Sequence, residues 1–535
     1  MKKLIICLFI LLAVMSNLVS CTTIADSVEN VGENNKISEI NADNTVKAYV
    51  GTEIFSESLD PIKGAMSHGY SFTNSSLLTV NPSSQYIGEL ATAWTVSEDA
   101  LTYTFEIRQG VKFSDGSDMT ADDVVFTYEK IKKNQAENQN VDLTYLSAVQ
   151  SVGKYAVEFT LSQPYSPFLD ITATIGIVPK DLYDSNVFGQ YPVGTGPWKV
   201  VQYDANQQII LEPNEYFYNG IPEIERITLV CLDDETALSA AHSGTLDVVM
   251  VNSDYAAEQV EGMTMIPLET MDIRMVSLPV QPRLEQNGII SGNDVTSDIN
   301  VRKALSIGIN RTEIIDNALG GIGVPAMGFT DNLIWAASES FEDGRISEAV
   351  KLLEEAGWVD SDGDGVREKD GIKCEFDIFT AADRYSLAVA LGENAVELGI
   401  KINVHSSSWD EIASNMRSQG VMWGWGQYNP TVIRSLFYAP SNGSEGYDNV
   451  VGYVSPEVNG LIDEAIDATN QENIVDLWQK VQKLSNEDCP YLYLVNIQHS
   501  YFVSDCLDIS LDTQIPHPHG HGMPIICNMK DWKFK

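Results

Sequence analysis

The sequence has few positive charges for its length, and this shortage excludes several classes of function. The 535-residue chain has 33 lysines and arginines against 75 aspartates and glutamates, a formal net charge of −42. Nucleic-acid binding needs clustered cations that neutralise phosphates, and adhesion to anionic lipid needs a basic surface. We therefore exclude nucleic acid as a partner and expect the acidic surface to keep a globular protein soluble.

Cysteine is also scarce, and its spacing does not fit the common cysteine-based sites. The chain has 7 cysteines, and no two of them form a CxxC pair. A zinc ribbon and a thioredoxin-type redox site both need that close spacing. Cys506 and Cys527 could form a disulfide, but we expect free thiols at the five positions after Cys21.

Long hydrophobic runs are absent except for a short one at the start. Lys2 and Lys3 precede an apolar run over residues 4–15, which is too short to span a bilayer core of ~30 Å. A small residue, Ser20, then stands directly before Cys21, in the pattern of a secretory signal. This arrangement resembles a bacterial lipobox, in which the cysteine is acylated. We predict a signal peptide over 1–20, lipidation at Cys21 and no transmembrane helix.

The residues after Cys21 have a composition that cannot bury a core. They are rich in Ser, Thr, Asn, Asp and Glu and have few aromatic residues. Such segments behave as flexible linkers. We predict a linker over 21–45, so that an exported globule would be anchored by lipid to the outer face of the cell membrane, or to its periplasmic side.

Strand and helix patterns are mixed from residue 46 onward. Alternating apolar residues predict strands around 103–107 and 157–161. Signals for the start of a helix stand at Thr120, Asn310, Ser347 and Ser455. The pattern indicates an α/β or α+β architecture, and the length indicates two or three domains.

Four segments, in order along the chain, form a recognisable set. The first includes LATAW at 90–94 and VKFSDG at 111–116, and the second includes VGTGPW at 193–198. The others lie at 301–311 and 353–365. Together they resemble the signature regions of the bacterial extracellular solute-binding proteins of peptide and nickel importers, called family 5. The turns and glycines in these segments have structural roles, so the resemblance identifies the scaffold rather than the ligand.

The resemblance implies an α/β, periplasmic-binding-protein-like fold of type II. Two lobes of mixed sheets flanked by helices would be joined at a hinge of crossing strands. The implied borders are 46–70, 192–281 and 495–535 for lobe I, 71–191 for a small subdomain inserted in lobe I, and 282–494 for lobe II.

The resemblance also implies the function of a receptor. Such a protein captures a small solute, either a dipeptide, an oligopeptide or a nickel chelate, and delivers it to the permease subunits of an ABC importer. We expect a monomer that is not an enzyme and has no cofactor, with nickel only as part of a transported ligand. A secreted hydrolase is the remote alternative, but the chain has no GxSxG motif and no P-loop.

The stretch 422–430 carries the predicted ligand-binding residues Trp423, Trp425, Gln427 and Tyr428. In the peptide binders of the family, an aspartate near this place holds the ammonium group of the peptide. Here Gln427 is neutral, which puts that anchor in doubt. The nickel branch instead has tryptophan and glycine ahead of a tyrosine and a proline, which is closer to this stretch. Peptide and nickel chelate both remain open, and the tryptophans could simply be core residues.

Two further motifs are candidate metal sites. His517, His519 and His521 alternate near the C-terminus, and imidazole suits nickel, copper and zinc. A structural or surface loop is the alternative for these histidines. The segment 360–365 resembles the start of a calcium loop, but position twelve is Gly371 rather than glutamate, so a full EF-hand is excluded. An acidic surface turn is the expected structure there, with weak calcium binding as the alternative.

Three arginines remain as candidates for pairing with a carboxylate of the ligand or of the protein. They are Arg302, Arg311 and Arg384. A structural salt bridge is the expectation for each of them.

Overall fold

The structure is a computed structural model, and it describes residues 44–535 apart from 57, 65–70, 139–140, 331, 338–340, 427–428, 442, 445 and 518–522. The predicted signal peptide, Cys21 and positions 21–43 of the predicted linker therefore lie outside the described residues.

The described residues alternate between helices and strands along the chain. The helices are α1 (Glu53–Ser56), α2 (Ala121–Lys133), α3 (Phe168–Thr174), α4 (Asp234–His242), α5 (Ile299–Gly308), α6 (Arg311–Leu319), α7 (Ile346–Glu355), α8 (Tyr385–Ala395), α9 (Trp409–Asn415), α10 (Thr431–Phe437), α11 (Pro456–Asp467) and α12 (Gln471–Asn486). The strands are β1 (Thr45–Tyr49), β2 (Leu78–Val80), β3 (Tyr86–Gly88), β4 (Ala91–Val96), β5 (Thr102–Ile107), β6 (Leu146–Gly153), β7 (Ala156–Leu161), β8 (Trp198–Asp204), β9 (Gln208–Pro213), β10 (Arg226–Val230), β11 (Val248–Val251), β12 (Met263–Ser277), β13 (Leu284–Gln286), β14 (Ile289–Ser291), β15 (Val324–Pro325), β16 (Glu368–Lys369), β17 (Ile372–Lys373), β18 (Glu375–Thr380), β19 (Lys401–Ser406), β20 (Gly420–Trp425), β21 (Tyr491–Ser504), β22 (Leu507–Asp508) and β23 (Lys533–Phe534).

Two long antiparallel strands, β12 and β21, lie at the centre of the main sheet. Its order is β19-β18-β20-β12-β21-β11-β1-β10-β9-β8, and β15 pairs with β21 outside this path. Strand β20 pairs with β12 at Ile273–Ser277, whereas β11 pairs with β21 at the opposite end, near Ser500 and Val503. The pairing of β12 with β21 is irregular between these two ends, where the register shifts between Glu269 and Ile273. The two strands therefore connect two parts of the sheet through a weakened central segment, as a hinge requires.

A second sheet, β4-β5-β7-β6, forms a separate antiparallel unit with its own hydrophobic core. Phe159 is at the centre of that core, with ring centroids 5.6 Å from Phe105, 4.7 Å from Tyr128 and 5.3 Å from Phe168. The predicted strands at 103–107 and 157–161 are β5 and β7 of this unit, and their apolar residues alternate into the core. Both strand predictions are confirmed. We call this unit, built from residues 62–188, the small-sheet unit.

The other buried clusters lie on either side of the hinge strands. One packs around β1 and β8 to β10 with the C-terminal residues up to Trp532, and a smaller one packs around α4. Two more cover the β20 end of the sheet, one under α10 to α12 and one under α5 to α8.

Three of the four signals for a helix start are confirmed. Asp123 accepts hydrogen bonds from both the backbone N–H and the hydroxyl of Thr120, directly before α2. Asn310 accepts from Glu313 N at 3.1 Å, and Ser455 Oγ accepts from the third residue of α11. Such caps satisfy N–H groups that have no partner within the helix.

The prediction that Ser347 precedes a helix is wrong. Helix α7 begins at Ile346, with Arg345 in the capping position. The carbonyl of Arg345 already accepts from Ala349 N at 3.0 Å, and its guanidinium pairs with Glu348 at 2.8 Å across the first turn. These contacts extend the helix past the serine.

Glycines in the signature segments have the structural roles expected of them. Gly116 has φ +89°, which fits the predicted tight turn after Asp115. A Cβ on Gly194 would lie 1.9 Å from the carbonyl oxygen of Thr73, and a Cβ on Gly196 would lie 2.7 Å from the carbonyl carbon of the same residue. Only glycine allows the two backbone segments to approach so closely.

The last two expectations concern the cysteines and membrane-spanning helices. Cys506 and Cys527 are free thiols, as are Cys231, Cys374 and Cys489. Among the described residues, we find no helix with the length and hydropathy needed to cross a membrane.

Candidate functional site

Trp423 and Trp425 lie on β20, beside the hinge strand β12. Trp423 pairs with Met275 and Trp425 pairs with Ile273. The indole N–H of Trp423 donates to Ser277 Oγ at 2.9 Å, and this side chain is only 5 % exposed. Trp425 is half-buried, and its buried Nε1 has no hydrogen-bond partner among the described residues. Trp423 is thus largely a packing residue, whereas Trp425 retains an unsatisfied donor.

Trp423 is the centre of a group of four aromatic side chains, which we call the aromatic cluster. Trp409 stacks on it at 6.3 Å between ring centroids with planes 29° apart, and Tyr447 meets it edge-on at 5.8 Å. Trp425 lies 6.5 Å away with a tilted ring. Trp409 and Tyr447 are each 47 % exposed, so the cluster presents aromatic surface that a flat or apolar solute group could cover.

Gly424, between the two tryptophans, makes room for a buried ion pair. It lies opposite Arg274 on β12, and a Cβ at this position would lie 2.0 Å from Arg274 Nη1. The same guanidinium nitrogen pairs with Asp272 Oδ2 at 2.5 Å, and the side chains are 9 % and 0 % exposed. A pair so poorly hydrated needs each charge to stay close to the other.

A second buried guanidinium, that of Arg384, lies near this pair. It lies over the ring of Trp409 at 5.8 Å, and its Nε is 3.2 Å from the carboxylate of Asp383. Burial, followed by the charge of Arg274, lowers the pKa of Arg384. Asp383 is 54 % exposed and is therefore a partner weakened by water. The terminal nitrogens of Arg384 donate to no residue in the described part of the chain.

The other predicted ligand and metal residues are only partly described. Gln427, Tyr428, His519 and His521 lie outside the described residues. His517 is 3 % exposed and runs beside the hinge strand, where its carbonyl accepts from Met271 N at 2.7 Å. The structure therefore places one of the three histidines at the hinge and leaves the predicted metal role of all three untested.

The acidic turn at 360–365 is held by its own backbone and by a lysine. Asp360 accepts from Gly363 N at 2.7 Å and from Gly365 N at 3.1 Å. Lys373 pairs with Asp362 at 3.6 Å and also with Asp364. Together with Glu368, the three aspartates bring carboxylate oxygens within 4.8 Å of one another. The geometry is that of the expected surface turn, and exposed acidic groups of this kind are common without a metal.

The remaining arginine candidates have structural partners. Arg311 is 1 % exposed and pairs with Asp343 at 3.2 Å. Arg302 donates to backbone carbonyls, including Asp488 O at 3.0 Å and Thr296 O at 2.6 Å. The expected salt bridge is therefore present at Arg311, whereas Arg302 instead binds carbonyl groups.

The sequence interpretation missed Asp272, Arg274, Trp409 and Tyr447. One signal was available: Asp272 and Arg274 stand two residues apart and so share a face of a strand, which favours a local pair. Trp409 and Tyr447 meet Trp423 only through tertiary packing, because they lie outside β20, on α9 and on the segment between α10 and α11.

A scan against family models finds a match over residues 85–446 to the bacterial extracellular solute-binding proteins, family 5. This match includes all four signature segments completely. The resemblance inferred from those segments is confirmed.

Two characterised relatives bind different solutes. The chain is 27 % identical over 423 residues to the oligopeptide-binding protein AppA of Bacillus subtilis, covering 74 % of this chain and 76 % of that protein. It is 27 % identical over 378 residues to the nickel-binding periplasmic protein of Escherichia coli, covering 66 % of this chain and 70 % of that protein. The sequence identity to the two proteins is the same, so it does not indicate which of their solutes this chain binds.

A solved structure confirms the fold. NikZ from Campylobacter jejuni, determined in complex with Ni(L-His), superposes with a TM-score of 0.71 and 22 % sequence identity. The match covers 92 % of this chain and 99 % of that one. The predicted fold class, periplasmic-binding-protein-like with two lobes and a hinge, is confirmed by this likeness.

Proposed function

Since the chain belongs to the bacterial extracellular solute-binding proteins of family 5, we propose that it captures a small solute bearing a carboxylate group. The observation that supports a carboxylate is the excess of buried positive charge beside the aromatic cluster. Two buried arginines, Arg274 and Arg384, lie near a single buried aspartate, Asp272. An anionic solute group would supply further negative charge and accept hydrogen bonds from the terminal nitrogens of Arg384.

A short peptide is our first candidate for the solute. Its terminal carboxylate would bind Arg384, and an apolar or aromatic side chain would lie on the exposed faces of Trp409 and Tyr447. The oligopeptide-binding relative supports this candidate. Lobe closure would then bury the solute, and the closed form would be presented to the permease subunits of an ABC importer.

A nickel chelate is the second candidate, because a complex of nickel with an amino acid also carries a carboxylate. The nickel-binding relative and the structural likeness to a Ni(L-His) complex support it. In this variant of the proposal, the chelate would rest on Trp425 and Tyr428, and one of His517, His519 and His521 would complete the coordination. The metal would be cargo and not a cofactor.

Titration calorimetry distinguishes the two candidates. The chain without residues 1–20 would be titrated with di- to pentapeptides, with nickel alone, and with nickel plus L-histidine. Heat with peptides but none with nickel plus histidine would eliminate the chelate, and the reverse would eliminate the peptide. If no probe binds, the proposal of a carboxylate-bearing solute fails.

A matched pair of variants tests the role of Arg384. Replacing Arg384→Met should weaken binding of a free-acid peptide at least about tenfold, because one charged hydrogen bond is worth about 1.5–3 kcal/mol. The same variant should bind a C-terminally amidated peptide as the wild type does. Arg283→Met is the control, since Arg283 is 48 % exposed and pairs with the exposed Glu285. Equal loss with both peptides would refute the assignment.

We also propose that the chain is exported, anchored through an acylated Cys21, and monomeric, with the lobe borders given by the sequence. The separate hydrophobic cores on either side of β12 and β21 support those borders. Labelling with a fatty acid in a host bacterium should be lost in Cys21→Ser. Retained label in that variant would contradict the anchor.

A further inference from the structure

The small-sheet unit touches helix α11 through polar contacts rather than through a shared core. The hydrophobic cluster of the small-sheet unit is formed within residues 62–188, whereas α11 belongs to a different cluster that also includes α10 and α12. On the proposed borders, the small-sheet unit belongs to lobe I and α11 belongs to lobe II. Contacts between them therefore form or break as the lobes close or open.

The first such contact caps the end of a helix. The backbone N–H of Ser166 donates to Ile466 O at 2.9 Å, and its hydroxyl donates to Ala465 O, also at 2.9 Å. Both carbonyls lie in the last turn of α11, which ends at Asp467. The last four carbonyls of a helix lack partners within the helix. A residue from the opposite lobe thus satisfies two of these groups.

The second contact is formed by Asn429 and Asp170. The side-chain oxygen of Asn429 accepts from Thr431 N at 2.8 Å and from the hydroxyl of the same residue. This leaves the amide nitrogen to donate outward, and it donates to Asp170 Oδ2 at 2.8 Å. Asp170 lies on α3, and its other oxygen is 3.5 Å from the hydroxyl of Tyr86.

The charge on Asp170 strengthens this contact at neutral pH. Burial raises the pKa of Asp170 to about 6, with hydrogen bonds from Asn429 and Tyr86 opposing the rise. The carboxyl group is therefore mostly ionised at pH 7.5, and the amide donates to a charged acceptor. Hydrogen bonds to charged groups are roughly twice as strong as neutral ones.

We propose that Ser166 and the Asp170–Asn429 pair form a latch that holds the two lobes closed and so lengthens the residence time of the solute. The proposal rests on the proposed function as a receptor that closes around its ligand. Because the latch stabilises the closed form, losing it shifts the population toward the open form. A bound solute should then leave faster, while the rate of its encounter with the open cleft should change little.

Three variants test the latch: Ser166→Ala, Asp170→Ala and the double variant. Ser162→Ala is the matched control, because its hydroxyl donates to Tyr145 O at 3.3 Å inside the small-sheet unit. The probes are trialanine and nickel–L-histidine, and tryptophan fluorescence in stopped flow would report association and dissociation rates. We expect dissociation from the double variant to be about ten times faster, with association within twofold of wild type.

A ligand-free measurement keeps the test independent of the solute. Small-angle scattering of the unliganded double variant should give a larger radius of gyration than the wild type and Ser162→Ala. Asp170→Asn, which keeps the shape and removes the charge, gives a milder second variant and should fall between wild type and Asp170→Ala. Melting temperatures within a few degrees of wild type would show that each variant is folded.

The results distinguish a failure of the proposed receptor function from a failure of the latch. If wild type binds neither probe nor any peptide of the calorimetric series, the proposed function fails, and scattering still decides on the latch. If wild type binds and the double variant matches Ser162→Ala in dissociation rate and radius, the latch is refuted and the receptor function stands.

Discussion

Replacing Gly424→Ala should destabilise the folded protein by breaking the ion pair beneath the aromatic cluster. The new methyl carbon would lie 2.0 Å from Arg274 Nη1 and 2.9 Å from its Cζ. The guanidinium would have to move by more than 1 Å to reach an ordinary van der Waals distance of about 3.5 Å. That movement carries it away from Asp272 Oδ2, with which it now pairs at 2.5 Å.

The magnitude follows from the burial of the two charges. Removing one partner of a buried pair costs about 3–5 kcal/mol, because the other charge is left uncompensated. Displacement is less severe than removal, and alanine recovers about 0.5–1 kcal/mol of the backbone entropy that glycine loses on folding. We therefore expect the free energy of unfolding to fall by about 2–3 kcal/mol.

Urea unfolding followed by tryptophan fluorescence measures this change. Gly460→Ala is the matched control, because Gly460 lies inside α11 and a Cβ there would meet no atom within 4 Å. The control should gain about 0.5–1 kcal/mol. In an Arg274→Met background the steric conflict is relieved, so Gly424→Ala should cost much less there.

Two results would refute this reasoning. One is a Gly424→Ala protein as stable as the wild type, which would show that the guanidinium moves without loss. The other is an equal cost of Gly424→Ala with and without Arg274, which would place the strain in the backbone of β20 rather than in the ion pair.

Three further predictions concern single positions outside the site. Burial raises the pKa of Glu89 to about 7, so the stability contributed by its protonated carboxyl is fully present below about pH 4.5 and is lost as pH rises through 7. Glu89→Gln should therefore flatten this part of a profile of melting temperature against pH. An unchanged profile would contradict the raised pKa. Gly194→Ala should lower the urea midpoint markedly, because its Cβ would lie 1.9 Å from the rigid backbone oxygen of Thr73; a midpoint near wild type would mean that the two segments separate easily. Asn310→Ala should cost about 1 kcal/mol in urea unfolding through the lost cap of α6, whereas Asn310→Ser should retain most of it, and equal losses would count against capping.

Local patterns predicted much of the secondary structure, because they depend on neighbours in the chain. The alternation at 103–107 predicted β5, and Asn310 and Ser455 predicted the starts of α6 and α11. The error at Ser347 has the same origin. A hydroxyl that could cap was present, but the contacts of Arg345 with Glu348 and Ala349 began the helix earlier.

The candidate site was predicted only in part, because its members come from distant segments. Trp423 and Trp425 were identified from one short stretch, and the structure places both beside the hinge strand. Trp409 joined them through the position of α9 against β20, which no local pattern encodes. Arg384 was a candidate for which a salt bridge was expected. Only the tertiary structure shows that its partner Asp383 is exposed and that the positive charge of Arg274 lies nearby.

Patterns along the chain were enough to identify the class of protein. The family segments, the acidic composition and the helix and strand signals are properties of residues in order, and they fixed the scaffold. The folded chain was needed to see which charges are buried together and which polar groups of remote segments form hydrogen bonds with each other. The physical reason is that burial and pairing depend on distances between segments hundreds of residues apart, such as Ser166 and Ala465, and those distances exist only once the chain has folded.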